Sequence, residues 1–408
     1  MTHEWHTAPL GEVTQFINGL WKGEDPPFVH VGVIRNTNFT KDGGLDDTDI
    51  AYLAVETKKF QKRRLQFGDV ILEKSGGGPK QPVGRVVLFE KTEGHFSFSN
   101  FTAAIRVVDP TALDSRFLHK YLHWVYVSGR TEAMQSHSTG IRNLNGDAYK
   151  AIEVTYPSLS EQRRIVAILD EAFEGIATAK TNVEKNLQNA RKWCATQLAT
   201  ALRAASAGGR TDTLEKLVAP SCTLSYGIVQ PGDEVSGGLP VVRPVDLGDK
   251  TVYADGLKRI DPALARSYAR TTLEGNDLLL CVRGTTGTVA VAEPALAGAN
   301  VTRGIVPIRF DPQTITQALG YYLLRSEPVQ AQIRAKTYGT ALMQINIGDL
   351  RKIVVAFPPL EQQAALVERL DAIQDAADQL TDVYTRKLAS LDELKRSLLH
   401  QAFSGGLS

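Results

Sequence analysis

The chain has little of what marks secreted, membrane-bound or metal-carrying proteins. Three cysteines, Cys194, Cys222 and Cys281, are spread through 408 residues. They have no metal-ligand spacing and are too few and scattered for a disulfide framework, so they read as free thiols in a reducing cytoplasm. Eight histidines are present without ligand spacing. His119 and His123 stand four apart in a helical stretch, but HKYLHWVY lacks the acid and third ligand of a metalloprotease, so no metal is expected. An excess of one charge is also missing: 46 basic against 45 acidic residues give a net charge of +1. Any nucleic-acid binding must then rest on local patches or on a partner's surface. No apolar run reaches the roughly 18 residues of a membrane span, and MTHEWHTAPL has no basic-then-apolar leader pattern. No Ser-His-Asp or paired-carboxylate set emerges, so neither catalytic residues nor a cofactor is expected.

What is present is a repeat. STGIRNLNGDAYKAIEVTYPSLSEQ, from Ser138 to Gln162, lies over GTALMQINIGDLRKIVVAFPPLEQ, from Gly339 to Gln362. Thr139 falls on Thr340, Leu144 on Ile345, Asn145 on Asn346, Ile152 on Ile353 and Pro157 on Pro358. Glu161-Gln162 falls on Glu361-Gln362 after a one-residue slip. The period of roughly 200 residues is far too long for a solenoid, so the chain holds two copies of a domain. Fainter echoes agree. LQFGDVILEK at Leu65–Lys74 resembles LEGNDLLLCV at Leu273–Val282, and each runs into a Gly-rich segment. Each copy is expected to be a mixed α/β (α+β) globule of short strands, glycine turns and few helices.

A second motif needs deciding. Asp25-Pro26-Pro27-Phe28 resembles the active-site tetrapeptide of amino-methylating DNA methyltransferases, which would make the chain a stand-alone adenine-N6 methyltransferase. Placing PFVHVGVI, from Pro27, over PVVRPVDL, from Pro240, puts Asp25 on Gly238, Phe28 on Val241 and His30 on Arg243. The acid and the aromatic are then missing from the second copy. A proline entering a strand accounts for both copies, and no Gly-rich cofactor turn accompanies the motif. SGGGPKQPVG, from Ser75, lacks the lysine-hydroxyl ending of a phosphate loop, and Pro79 and Pro82 remove donors from it.

Each copy is followed by a long Ala-, Leu-, Glu- and Lys-rich stretch almost free of glycine and proline. Ser160 is the expected N-cap of the first. Its apolar seam runs through Ile165, Leu169, Ala172, Ile176, Ala179, Val183, Leu187, Ala190, Cys194 and Leu198. The second runs through Leu366, Leu370, Ile373, Ala377, Leu380, Tyr384, Leu388, Leu391, Leu394 and Leu398. The steps of 3 and 4 are those of a coiled coil, and the pairs Gly208-Gly209 and Gly405-Gly406 suit left-handed C-caps. Two helices of roughly 65 Å with narrow stripes are expected to cover each other as an antiparallel pair within the chain, with approximate two-fold symmetry and a globule at either end. The boundaries expected are 1–157 and 210–358 for the globules, and 158–209 and 359–408 for the helices.

PSLSEQRRIVAILDEAFEGI, PPLEQQAALVERLDAI and the ending SLLHQAFSGGL resemble the specificity subunits of type I restriction–modification systems, and the resemblance covers essentially the whole chain. It implies a non-enzymatic subunit whose two target recognition domains each read half of a bipartite double-stranded DNA site. It implies helices that set the gap and dock two methyltransferase subunits, with restriction or translocase subunits joining some assemblies. A DNA-binding regulator without a methylating partner is the other non-enzymatic reading. Base readers are expected on loops. In the first copy these are Lys74, Ser75, Lys80, Arg85, Ser138, Arg142 and Asn143, with Lys58, Lys59, Lys62, Arg63 and Arg64 on phosphates or simply solvated. In the second they are Arg243, Arg283, Thr285, Thr286, Lys336, Thr337, Tyr338, Thr340 and Gln344. The methyltransferase contacts are expected at Glu161, Gln162 and Arg164 and at Glu361 and Gln362.

Overall fold

The computed structural model describes residues 5–20, 23–78, 81–138, 141–248, 250–340 and 342–404. The chain divides into two units, Met1–Glu184 with Thr385–Ser408, and Lys185–Tyr384.

In the first unit a four-stranded antiparallel sheet runs in the order Thr14–Asn18, Thr102–Val107, Val70–Glu73, Val86–Leu88. The central strand VILE is buried at every position because both of its faces are covered. Val70 and Leu72 point into a core with Phe117, Leu118, Leu122 and Val125 of the helix Ser115–Val127. Ile71, one step out of phase, joins a second core with Ile34, Phe96 and Phe98 of a mixed three-stranded sheet. The second unit repeats this arrangement. Leu278 and Leu280 face the helix Gln317–Arg325, while Leu279 and Cys281 face Val242 and Val301. A buried ion pair recurs under the turn before each central strand. Arg106 reaches Asp69 at 2.7 Å, and Arg309 reaches Asp277 at 2.8 Å. Each aspartate also accepts from the turn backbone at 2.7 Å, from Gln66 N and from Glu274 N. A close backbone approach recurs too. A Cβ on Gly19 would lie 1.9 Å from Ser99 O, and one on Gly227 would lie 2.0 Å from Val301 O, so only glycine fits at either place.

The long helices are Leu159–Ser206 and Leu360–Phe403. Within the first unit the start of one packs beside the end of the other. Ile165, Val166 and Leu169 share a core with Leu399, Ala402 and Phe403, and Lys180 pairs with Asp392. Phe403 seats its ring edge-on against Phe117 and Tyr121, with centroids 5.4 and 5.3 Å away. Within the second unit, Ala201 and Leu202 share a core with Leu366 and Leu370. The pairing in each unit is therefore antiparallel, and the helix ends also belong to the globular cores. All ten seam positions of the first helix are buried or half-buried. In the second helix Leu380 and Leu394 are exposed instead; near Leu394 the buried stripe turns toward Leu399, Ala402 and Phe403, which join the first unit's core. The first helix begins at Leu159, so Ser158 rather than Ser160 precedes it, and the Ser158 carbonyl accepts from Glu161 and Gln162. Gly208 takes the left-handed conformation at φ +82° just past the end. Gly405-Gly406 lies outside the described residues.

The backbone corrects two details of the repeat. Ile34 O accepts from Ser99 N, and Val242 O accepts from Thr302 N, both at the same step of a parallel strand pair. A reciprocal capping turn follows each, on Arg35 with Asn38 and on Arg243 with Asp246. Arg243 is therefore the counterpart of Arg35, not His30, and Asp25–Phe28 lies over residues 233–236, which read Asp-Glu-Val-Ser. The second detail is the glutamine that opens each long helix. Gln162 Nε2 donates to Ala112 O and Pro157 O, both at 2.8 Å, and its Oε1 accepts from Asp114 N at 2.8 Å. Gln363 makes the same three bonds, to Thr314 O, Pro358 O and Thr316 N, at 2.8, 3.1 and 2.8 Å. Asp114 and Thr316 are the residues that cap each unit's own helix. The partner of Gln162 is thus Gln363, with no slip, and Gln362 is an exposed neighbour.

Candidate nucleic-acid interface

Two expected loops of the first unit come together as one ribbon. The hairpin Gln135–Ser138 and Ile141–Leu144 pairs with Ser75–Gly77 in a three-stranded antiparallel sheet. Ser75 Oγ donates to Asn143 Oδ1 at 2.5 Å, and Leu144 N donates to Lys74 O at 2.8 Å. Lys74, Ser75, Arg142 and Asn143 thus share one small surface. Lys74 Nζ donates to Asn18 Oδ1 at 3.0 Å, and partial burial holds its pKa below the ordinary lysine value. Arg63 reaches the Asn18 backbone carbonyl at 3.2 Å, so Asn18, which the sequence did not single out, ties the basic run to the ribbon. That run lies on and just after the short helix Thr57–Lys62. Lys58, Lys62 and Arg64 are exposed, and Lys59 pairs with Glu56 at 3.3 Å. Lys80 and the side chain of Ser138 lie outside what is described.

The second unit builds the same ribbon from shorter pieces. Tyr338 and Gln344 exchange backbone hydrogen bonds at 2.9 Å, and Arg283 bridges to Gln344. Ile345 N donates to Val282 O at 3.0 Å, the counterpart of Leu144 to Lys74. Gly76 and Gly284 follow at φ +99° and +90° in matching places. Arg283, Thr285, Thr286, Tyr338 and Gln344 converge here. The Thr286 hydroxyl bonds Met343 O at 3.3 Å, and the Tyr338 hydroxyl bonds Asn346 Oδ1 at 2.6 Å. Thr285 and Thr340 are exposed, Lys336 is half-buried, and the Thr337 hydroxyl bonds back to Ile333 O at 2.7 Å. The apolar side chains Phe101 in one unit and Leu342 and Met343 in the other are more than two-fifths exposed near these ribbons. Sequence reasoning passed over them because they are not hydrogen-bonding residue types.

Three expected site residues are instead internal supports, each within its own unit. Arg85 is largely buried, gripping both carboxylate oxygens of Glu73 at 2.8 Å and the carbonyls of Asn36 and Phe39. Arg243 clasps Asp246 at 2.9 and 3.2 Å, and that bond raises its pKa. Gln162 is fully enclosed and cannot form part of a partner-facing surface. Glu161 and Arg164 pair with each other at 2.6 Å, while Glu361 and Gln362 are exposed. Asp25–Phe28 leads into the strand Phe28–Ile34, and Phe28 is about half exposed. Among the described residues no cluster of three metal-ligating side chains occurs, and no helix is long and apolar enough to cross a membrane.

A chain with this duplicated fold, ribbon and helix opening can be compared with known families. The model of the type I restriction modification DNA specificity domain matches residues 2–188 and 233–387, one segment in each copy. The chain belongs to this family. Among relatives, the EcoBI specificity subunit of Escherichia coli is 22% identical over 342 residues, covering 76% of this chain and 72% of that one. The StySPI specificity subunit of Salmonella potsdam is 22% identical over 99% of this chain and 89% of its own. A chain solved in work on complex assembly and conformational transition of the type I restriction–modification system superposes with a TM-score of 0.76. It is 20% identical, and coverage is 100% of this chain and 99% of that one. The HsdS subunit from Thermoanaerobacter tengcongensis has a TM-score of 0.60 at 19% identity, over 98% and 97% of the two chains. The specificity-family fold is thus a mixed α/β recognition unit present twice in tandem, each copy followed by a long helix.

Proposed function

We propose that this specificity-family chain recognises a bipartite double-stranded DNA site, each unit reading one half through its ribbon. The observation that carries this is the recurrence of one backbone ribbon bearing different polar side chains: Ser75 and Asn143 in one copy, Arg283 and Gln344 in the other. A fixed scaffold with exchanged side chains is what two readers of different sequences require. Lys58, Lys62 and Arg64 would contact phosphates beside the first ribbon. On this reading residues 1–157 and 210–358 are the recognition domains, and residues 158–209 and 359–408 are the spacers.

The chain performs no chemistry of its own. It directs two methyltransferase subunits, and restriction or translocase subunits in systems that have them, to the site. The net charge of +1 fits a reader whose partners supply much of the phosphate-facing surface. The two helix openings share the Gln162 and Gln363 clamp, with exposed Arg164 beside the first and exposed Glu361 and Gln362 beside the second, which suits two copies of one partner. Such a complex works where DNA is, in the cytoplasm, and three buried free thiols suit that compartment.

The paired helices would fix the gap between half-sites. Deleting four residues from each would shorten the spacer by about one turn, 5.4 Å, of the order of 1.6 base pairs. Mapping methylated adenines in DNA from cells carrying the chain and its methyltransferase should give a bipartite motif whose gap shrinks in the deletion variant. An unchanged gap would refute the spacer role, and a continuous motif would refute the reading.

A further inference from the structure

We propose that the paired positions Ser75–Asn143 and Arg283–Gln344 are where each half-site acquires its base identity, and that Arg283 selects a guanine in the half read by the second unit. This rests on the bipartite reading above and assigns residues within it. The two positions are the same place in the fold, since the flanking hydrogen bonds, Leu144 N to Lys74 O and Ile345 N to Val282 O, coincide.

The side chains there differ in what they are free to do. Arg85, Arg106, Arg243 and Arg309 all spend their guanidinium groups on internal carboxylates. Arg283 does not. It is half-buried, its Nε is enclosed without a hydrogen-bond partner, and no ion pair or side-chain bond engages it among the described residues. Its two terminal nitrogens are open to the outside and, among the described residues, have no internal acceptor, so they are free to donate to a ligand. Its planar fork of donors matches the O6 and N7 acceptors of guanine, which adjoin on the major-groove edge. Gln344 lies across the strand pair from it, and exposed Thr285, Tyr338 and Met343 surround the same edge.

In the first unit the chemistry is different. The Ser75 hydroxyl donates to Asn143 Oδ1, which leaves this short amide its two N–H donors and one oxygen lone pair for an outside group. A short amide replaces a five-donor fork, so the two units should prefer different bases at this step.

The test uses the complex of this chain with its methyltransferase, retained on duplex pools in which each half-site is randomised in turn. The wild-type complex should show one guanine position in one half-site. Asn143→Ala should alter the other half, which assigns the halves to the units. Arg283→Ala should lower the guanine preference roughly 10- to 100-fold at that position and leave the other half-site intact. Arg283→Gln, which keeps the long stem if alanine disturbs folding, should move the preference toward adenine. Weakened retention of every sequence alike would make Arg283 a phosphate contact and overturn the assignment, as would a change in the half altered by Asn143→Ala. A wild-type complex that selects no two-part site would instead overturn the underlying function.

Discussion

Gln162 and Gln363 each fasten the opening of a long helix to the residue that caps their unit's own helix. Changing Gln162 to alanine removes three hydrogen bonds inside an enclosed site and orphans Asp114 N–H and the carbonyls of Ala112 and Pro157. At about 1 kcal/mol for each lost bond the cost is about 3 kcal/mol, and more if water cannot reach the orphaned groups. That is a large share of the 5–15 kcal/mol typical of a folded protein. Gln363→Ala should cost about the same in the second unit. Gln362→Ala, at the exposed neighbouring position, should change stability by less than about 0.5 kcal/mol. The assay is denaturant unfolding of the whole chain, with amide hydrogen exchange locating the loss. Exchange should quicken in the helix Ser115–Val127 for Gln162→Ala and in Gln317–Arg325 for Gln363→Ala. If Gln362→Ala cost as much as Gln363→Ala, the clamp and the repeat register behind it would both be wrong.

Two further outcomes follow from the cores. Phe403→Ala empties a site bounded by Phe117, Tyr121 and Trp124 and should cost about 3–5 kcal/mol by calorimetry, with exchange quickening confined to the first unit. His119 and His123 are enclosed, with ring centroids 6.3 Å apart. Burial, then Lys120, pulls the pKa of His119 down to about 4, and burial, then His119, pulls that of His123 down to about 3. Both stay neutral in the fold while the unfolded chain takes up protons below pH 6.5. Stability is therefore full above pH 6.5 and falls as the pH drops toward 4, at up to about 2.7 kcal/mol per pH unit for two protons. Denaturation midpoints at pH 7 and pH 5 should differ by clearly more in the wild type than in a His119→Gln, His123→Gln variant, and equal differences would show that these groups do not govern the loss.

Local periodicity made much of this molecule legible. The seam of the first helix was readable because a residue every 3 or 4 positions returns to one helix face whatever the surroundings. The duplication was readable because equal cores need equal apolar spacing, as in VILE and LLLC. Other features were not readable. In PPLEQQ either glutamine could answer Gln162, and only enclosure distinguishes them. Leu394 has the seam's spacing, yet the core turns away from it toward Leu399. Pro27 and Pro240 aligned as residues but not as backbone, since a proline can enter a strand at more than one step.

The amino-acid sequence by itself determined two tandem mixed α/β copies, two long amphipathic helices and the family. These depend on composition and on spacing within a few turns or strands. Only the tertiary structure decided which cations face outward. Arg85 and Arg283 are alike in the sequence, each beside a glycine-rich loop. One meets Glu73 on the neighbouring strand, while the other finds no internal acceptor among the described residues, because an ion pair depends on what lies across space, and chain order does not reveal that.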